Sequence, residues 1–112
     1  MILKKTKNVP QEKIEAEGVK DVTKQVLIGP QEGAPNFIMR KFTVKPGGYT
    51  FHHTHDFEHE IYVLRGSGIA KTQKGEESFQ ANDVMLVIPD EIHQFVNTGS
   101  EDLEFLCIIP RD

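Results

Sequence analysis

From residue 49 onward the chain is broken at short, regular intervals. The breaks fall at Gly66, Gly75, Asn82-Asp83, Pro89-Asp90 and Asn97-Thr98-Gly99, all residues that supply turn chemistry. The stretches between them show no sustained apolar pattern of helical period and are too short for ordinary helices. They read instead as strands over 49–55, 59–65, 68–72, 76–80, 85–88, 93–97 and 104–109. Upstream, residues 22–28 alternate well enough for a strand that stops at Gly29-Pro30, and 37–44 form another closed by Pro46-Gly47-Gly48. Residues 1–3 have the composition of a short strand, 8–12 read as a turn and 31–36 as a loop. Many short strands joined by tight turns imply an all-β fold, either a sandwich or a closed barrel.

The chain has 112 residues, enough for one domain with a real core and too few for two. Charged residues make up 27% and hydrophobic ones 38%, which excludes a disordered chain. A formal charge of -4 argues against nucleic acid as a partner, because phosphate binding calls for a basic face. No apolar run approaches the roughly 20 residues that cross a bilayer, and Met1-Ile2-Leu3-Lys4-Lys5 lacks the apolar stretch of a signal peptide. The single cysteine, Cys107, cannot close an internal disulfide. The expectation is a cytoplasmic protein with no membrane partner.

Chemistry concentrates in one stretch. Four of the five histidines, His52, His53, His55 and His59, lie between Phe51 and Glu60. Side chains alternate faces along extended chain, so His53 and His55 share a side while His52 and Thr54 take the other. Two imidazoles on one side can reach one metal ion, and His59 follows after a short connection. His52 points away and reads as an ordinary surface histidine. Glu60 is an alternative to His59 as the third ligand, but one step along a strand reverses the face, so only one of the two can point at the ion.

With those residues in view, the run Gly47…His53-Thr54-His55…His59…Gly66 resembles the first motif of the cupin superfamily. That motif is a glycine, five residues, His-x-His, three or four residues, a carboxylate, six residues and a glycine. The register puts His59 at the usual carboxylate position. The second motif, glycine, five residues, Pro-x-Gly, two residues, His, three residues, Asn, is matched by Asn82, Ile88, Asp90, His93 and Asn97, with the proline displaced to Pro89. Asn and Asp are the non-glycine residues that best tolerate left-handed backbone, so Asn82 and Asp90 are physically sensible replacements.

The resemblance covers roughly residues 34–110. It implies a cupin-type β-barrel (a jelly roll, or double-stranded β-helix), forming a single domain over 1–112 with a strand-bearing arm at 1–33 and a barrel core at 34–110. The all-histidine set His53, His55, His59 and His93 is similar to that of small four-histidine manganese cupins. The resemblance thus implies one divalent transition metal per chain, with manganese favoured, whereas imidazole chemistry by itself suits iron, nickel, copper or zinc. It further implies a homodimer that packs sheets and exchanges N-terminal strands.

Four neutral ligands leave the charge of a dication uncompensated and, on a six-coordinate ion, two positions open. The leading expectation is a manganese- or iron-dependent dioxygenase or related oxidoreductase acting on a small organic substrate. The alternatives are a non-catalytic module that binds or senses a small ligand, and a metal-dependent isomerase or lyase. Four further residues are pocket candidates. Alternation turns Leu103, Phe105, Cys107 and Ile109 inward, where Phe105 and Cys107 serve either as core or as pocket wall. Phe95 lies two residues beyond His93 on the same face. Arg40 alternates with Ile38, Phe42 and Val44. It enters the barrel mouth if that face is the inner one, and is solvated if Phe37, Met39 and Thr43 are.

Overall fold

A computed structural model describes residues 1–111 and shows an almost entirely β protein; Asp112, the last residue of the expected domain, lies outside the described residues. The strands are β1 (Glu12–Lys13), β2 (Lys20–Ile28), β3 (Phe37–Tyr49), β4 (His59–Arg65), β5 (Ser67–Thr72), β6 (Gly75–Gln80), β7 (Val84–Val87), β8 (His93–Asn97) and β9 (Leu103–Pro110). All named pairings are antiparallel, and the hydrogen-bonded order β6-β5-β8-β3-β9-β4-β7 curls the sheet into a jelly-roll barrel, with β2 added along β3.

Alternation sets the inside. Ile61 and Val63 of β4, Phe95 of β8, and Leu103, Phe105 and Cys107 of β9 are all buried. In the β3–β9 ladder Val44 stands opposite Leu103, Phe42 opposite Phe105 and Arg40 opposite Cys107. Directly opposed residues share a face. The face carrying Arg40, Phe42 and Val44 is therefore the inner one, while Phe37 on the other face is 65% exposed.

Turn chemistry explains the corners. Asn82 and Asp90 both adopt left-handed backbone, with φ of 76° and 68°. Gly66 does so at φ 87°, and a Cβ there would also meet the Asp102 carbonyl oxygen at 2.6 Å.

Four local expectations differ from the structure. Pro46-Gly47-Gly48 does not end its strand. β3 runs through to Tyr49, because the extra residues form a bulge where the β2 register shifts between Lys20↔Tyr49 and Val22↔Val44. Residues 50–58 are not a ladder strand either. Past the Tyr49↔Val96 pair the register slips, Phe95 N–H donates to the Thr50 hydroxyl at 2.9 Å, and Gln94 Nε2 donates to the Thr50 carbonyl at 2.9 Å. One backbone bond persists, Thr50 N–H to the Phe95 carbonyl at 3.0 Å, and side chains take the neighbouring positions until an isolated bridge forms at His53↔His93. Residues 1–3 pair with no strand and are exposed. The 8–12 turn shifts forward, since Thr6–Asn8 is a 3-10 turn and pairing starts at Glu12.

Candidate metal centre

Two of the histidines are the first residues of strands whose inner faces build the core. His93 precedes Phe95 and Asn97 on β8, and His59 precedes Ile61 and Val63 on β4. Each sits where the apolar lining reaches one end of the barrel, and both are buried. His53 and His55 arrive from the irregular stretch beside β8. Despite the broken ladder, burial still alternates from Phe51 to His59, with His52, Thr54, Asp56 and Glu58 exposed. Paired backbone bonds fix His53 to His93, with N–H···O=C distances of 3.2 and 2.9 Å.

The result is a cluster of four rings. Centroids lie 4.2 Å apart for His53–His55, 5.0 Å for His53–His93, 4.7 Å for His55–His59 and 5.1 Å for His59–His93. Ring nitrogens of His53, His55 and His93 all fall within 4.8 Å of one another. His59 falls outside that group of three, although its ring packs against those of His55 and His93. Its Nδ1 is 3.1 Å from Cys107 Sγ, and its Nε2 is buried with no hydrogen-bond partner. His52 is exposed, and Glu60, one residue from His59, also faces solvent.

The donor set suits a divalent transition ion. Burial, followed by the neighbouring imidazoles and Arg40, pushes the pKa of His53 down to about 4 and that of His59 down to about 3; burial lowers His55 as well. These imidazoles are thus neutral near pH 7 and carry the lone pairs a metal requires. His93 Nδ1 is 3.0 Å from the Glu91 carbonyl. A carbonyl accepts only, so the proton lies on Nδ1 and Nε2 keeps the free lone pair that could face an ion. A buried His59 Nε2 without a partner is unfavourable, and a metal ion would satisfy it.

The cluster opens on a cavity of about 280 Å³. Arg40, Phe95, Phe105 and Cys107, the four pocket candidates, all line it. Cys107 is buried and also stands opposite Ile61 on β4. Burial raises its thiol pKa, against the smaller opposing effect of Arg40, whose Nη2 donates to Sγ at 3.0 Å. Phe42 stacks on Phe105 at 5.4 Å.

Ile14, Val19 and Phe51 also line the cavity and escaped sequence reasoning. Ile14 and Val19 flank the turn before β2, anchored by Ile14 N–H donating to the Val22 carbonyl at 2.9 Å. Two isolated apolar residues in a polar segment carry no periodic signal. Phe51 did have one, because it shares the His53–His55 side of alternation.

A jelly-roll barrel with a histidine cluster at one end of its core defines a class of protein, and family comparison agrees. The cupin domain model matches residues 40–109, well over half of the chain. The chain belongs to the cupin family. It is similar to the polyketide cyclase RemF from Streptomyces resistomycificus, with a TM-score of 0.93 and 32% identity over 100% of this chain and 80% of that one. It also resembles the structure of a predicted oxalate decarboxylase from Thermotoga maritima, with a TM-score of 0.86 and 27% identity over 97% and 98% of the two chains. In sequence it is 34% identical over 73 residues to an oxalate-binding protein of Thermotoga maritima, 64% of this chain and 60% of that one. A 1-methylthio-D-xylulose 5-phosphate methylsulfurylase of Rhodospirillum rubrum is 29% identical over 80% of this chain and 56% of its own length. The chain thus spans less than two thirds of these curated relatives. No helix among the described residues is long and apolar enough to cross a membrane.

Proposed function

We propose that this cupin is a metal-dependent enzyme in which His53, His55, His59 and His93 hold one divalent transition ion beside an apolar, small-molecule cavity, with oxidation of the substrate by dioxygen as the leading reaction. The observation that supports it is the convergence of four imidazoles, one of them with a buried and unpartnered Nε2, at the wall of that cavity. When bound, the ion supplies open coordination positions, Lewis acidity and, for manganese or iron, access to redox chemistry. Manganese is the metal favoured by the resemblance of the ligand set.

The chain's own residues do the rest. Glu91 and Cys107 orient His93 and His59 through their Nδ1 atoms, so the cage is preorganised. Phe51, Phe95 and Phe105 provide apolar walls that desolvate a bound molecule, and Ile14 with Val19 roofs the cavity from the N-terminal segment.

A second reading, metal-dependent isomerisation or cyclisation without redox change, draws support from the likeness to a polyketide cyclase over the whole chain. A binding or sensing role draws its support from the likeness to an oxalate-binding protein. Reconstitution separates the three. Turnover with manganese or iron that consumes oxygen, and none with zinc, supports the oxygenase. Equal turnover with zinc, which has no redox chemistry, supports Lewis-acid catalysis. Saturable ligand binding without turnover under any metal leaves the binding module.

A homodimer is part of the same proposal. Tyr62 of β4 and Val84 and Leu86 of β7 share the outer face of the sheet and are 43%, 69% and 60% exposed, an apolar surface that a second copy would cover. Light scattering that finds a monomer at micromolar concentration removes that part.

A further inference from the structure

Arg40 lies in the cavity wall with a donor unanswered. Its Nη2 reaches Cys107 Sγ at 3.0 Å and its guanidinium carbon lies 5.0 Å from the centroid of the Phe42 ring. Its Nε is buried and has no hydrogen-bond partner. Arg40 is half-buried; a guanidinium is a permanent cation, and withdrawing part of it from water is unfavourable unless an anion answers it. Neither neighbour does so. Phe42 offers only a ring face, and Cys107 is a neutral thiol. The cavity lining holds no Asp or Glu among the described residues; its other charged group is a second cation, Lys24. Cross-strand pairing with Cys107 on one side and Val26 on the other keeps Arg40 on the inner face. The surrounding walls at Phe42, Phe95 and Phe105 are aromatic.

We propose that Arg40 is a specificity-determining residue that receives a carboxylate carried by the substrate, so that the cavity selects small carboxylic acids with an apolar, ring-sized body. This rests on the reading of the cavity as the small-molecule site. A guanidinium that only packed and oriented Cys107 would leave Nε without purpose and would not discriminate charge. One that recognises a carboxylate must do so even without the metal, because its donors belong to the protein.

The test uses benzoate and benzamide, which match in shape and differ in charge. Binding of each is measured by calorimetry near pH 7.5, where the carboxylate is ionised and free imidazoles are neutral. The proteins are metal-free wild type, Arg40→Gln, Arg40→Lys and Lys24→Gln, each checked by thermal melting. Wild type is expected to bind benzoate at least about tenfold more tightly than benzamide. Arg40→Gln should abolish the preference while binding benzamide as wild type does. Arg40→Lys should keep part of it and Lys24→Gln all of it. Equal affinity of the two probes in wild type, or no saturable benzoate binding, overturns the proposal, as does a preference that survives Arg40→Gln or is lost only in Lys24→Gln. If Arg40→Gln does not fold, the wild-type pair and Arg40→Lys still decide. Because no metal is present, a failure of the metalloenzyme reading leaves this preference intact. Conversely, a metal-loaded protein that turns over but shows no metal-free preference refutes the role of Arg40 alone.

Discussion

Replacing Cys107 by alanine tests how the cage is held. Sγ accepts from Arg40 Nη2 at 3.0 Å and faces His59 Nδ1 at 3.1 Å. If His59 coordinates through Nε2, as proposed, its proton lies on Nδ1 and is donated to sulfur, which holds the ring in that orientation. Alanine removes the acceptor. The proton is then free to sit on either nitrogen and the ring to rotate, and the loss of such a supporting contact typically weakens metal binding about 10- to 100-fold. That corresponds to about 1.4–2.7 kcal/mol.

Fold stability should fall less. Cys107 is 3% exposed, so the missing atom leaves a small void lined by Arg40 and His59, with a cost of about 1–2 kcal/mol. Cys107→Ser keeps an acceptor at the same place and should recover metal affinity to within about threefold of wild type. Competition with a metal-sensitive fluorescent chelator measures the affinity, and thermal melting of the metal-free protein measures the fold. If Cys107→Ala binds metal as tightly as wild type while its melting temperature drops, sulfur is only filling space and the tautomer argument is wrong.

Other outcomes follow from the same geometry. His59→Ala should cut metal affinity by more than Cys107→Ala does, whereas His52→Ala, on the exposed side of the same segment, should leave it unchanged in the same chelator assay. Metal-free protein should lose stability as pH falls. The folded pKa values of His53 and His59, about 4 and about 3, lie below the ordinary imidazole value of 6.5, so the unfolded chain binds more protons throughout that window. Stability is therefore full above 6.5 and declines from there towards the folded values, which urea midpoints across the range will show. Glu104 adds to the decline below the ordinary carboxylate value of 4.5, since its hydrogen bond with Lys41 holds its pKa down. Gln25→Ala removes two donations from a buried amide, to the Thr6 carbonyl at 3.0 Å and the Val9 carbonyl at 2.9 Å. It should destabilise by about 2 kcal/mol and speed proteolysis of the first nine residues, with little effect on metal binding.

The strands were readable because their inner faces obey period two, while the choice of a barrel over a sandwich came from the resemblance to cupins. Leu103, Phe105 and Cys107 in β9 and His59, Ile61 and Val63 in β4 alternate without interruption, and Asn82 and Asp90 stand in left-handed corners where the motif of the resembled family has glycine. The same period brought His53 and His55 to one side although no ladder forms there, since extended backbone alternates with or without hydrogen bonds. Two kinds of feature left no such trace. Where a side chain replaces a backbone partner, as Thr50 does for β8, a strand pattern ends without any turn residue to mark it. Where a cavity wall comes from lone residues such as Ile14 and Val19, nothing repeats. Arg40 was legible only as two alternatives, because both faces of β3 carry apolar residues, and pairing with Cys107 resolves it.

The most direct measurement is the X-ray absorption fine structure of the metal-loaded protein. The account predicts a first shell of nitrogen and oxygen alone, with the outer-shell scattering of four imidazoles from His53, His55, His59 and His93. A sulfur scatterer, which would put Cys107 on the ion, or a shell with only three imidazoles, which would leave His59 outside it, contradicts the account.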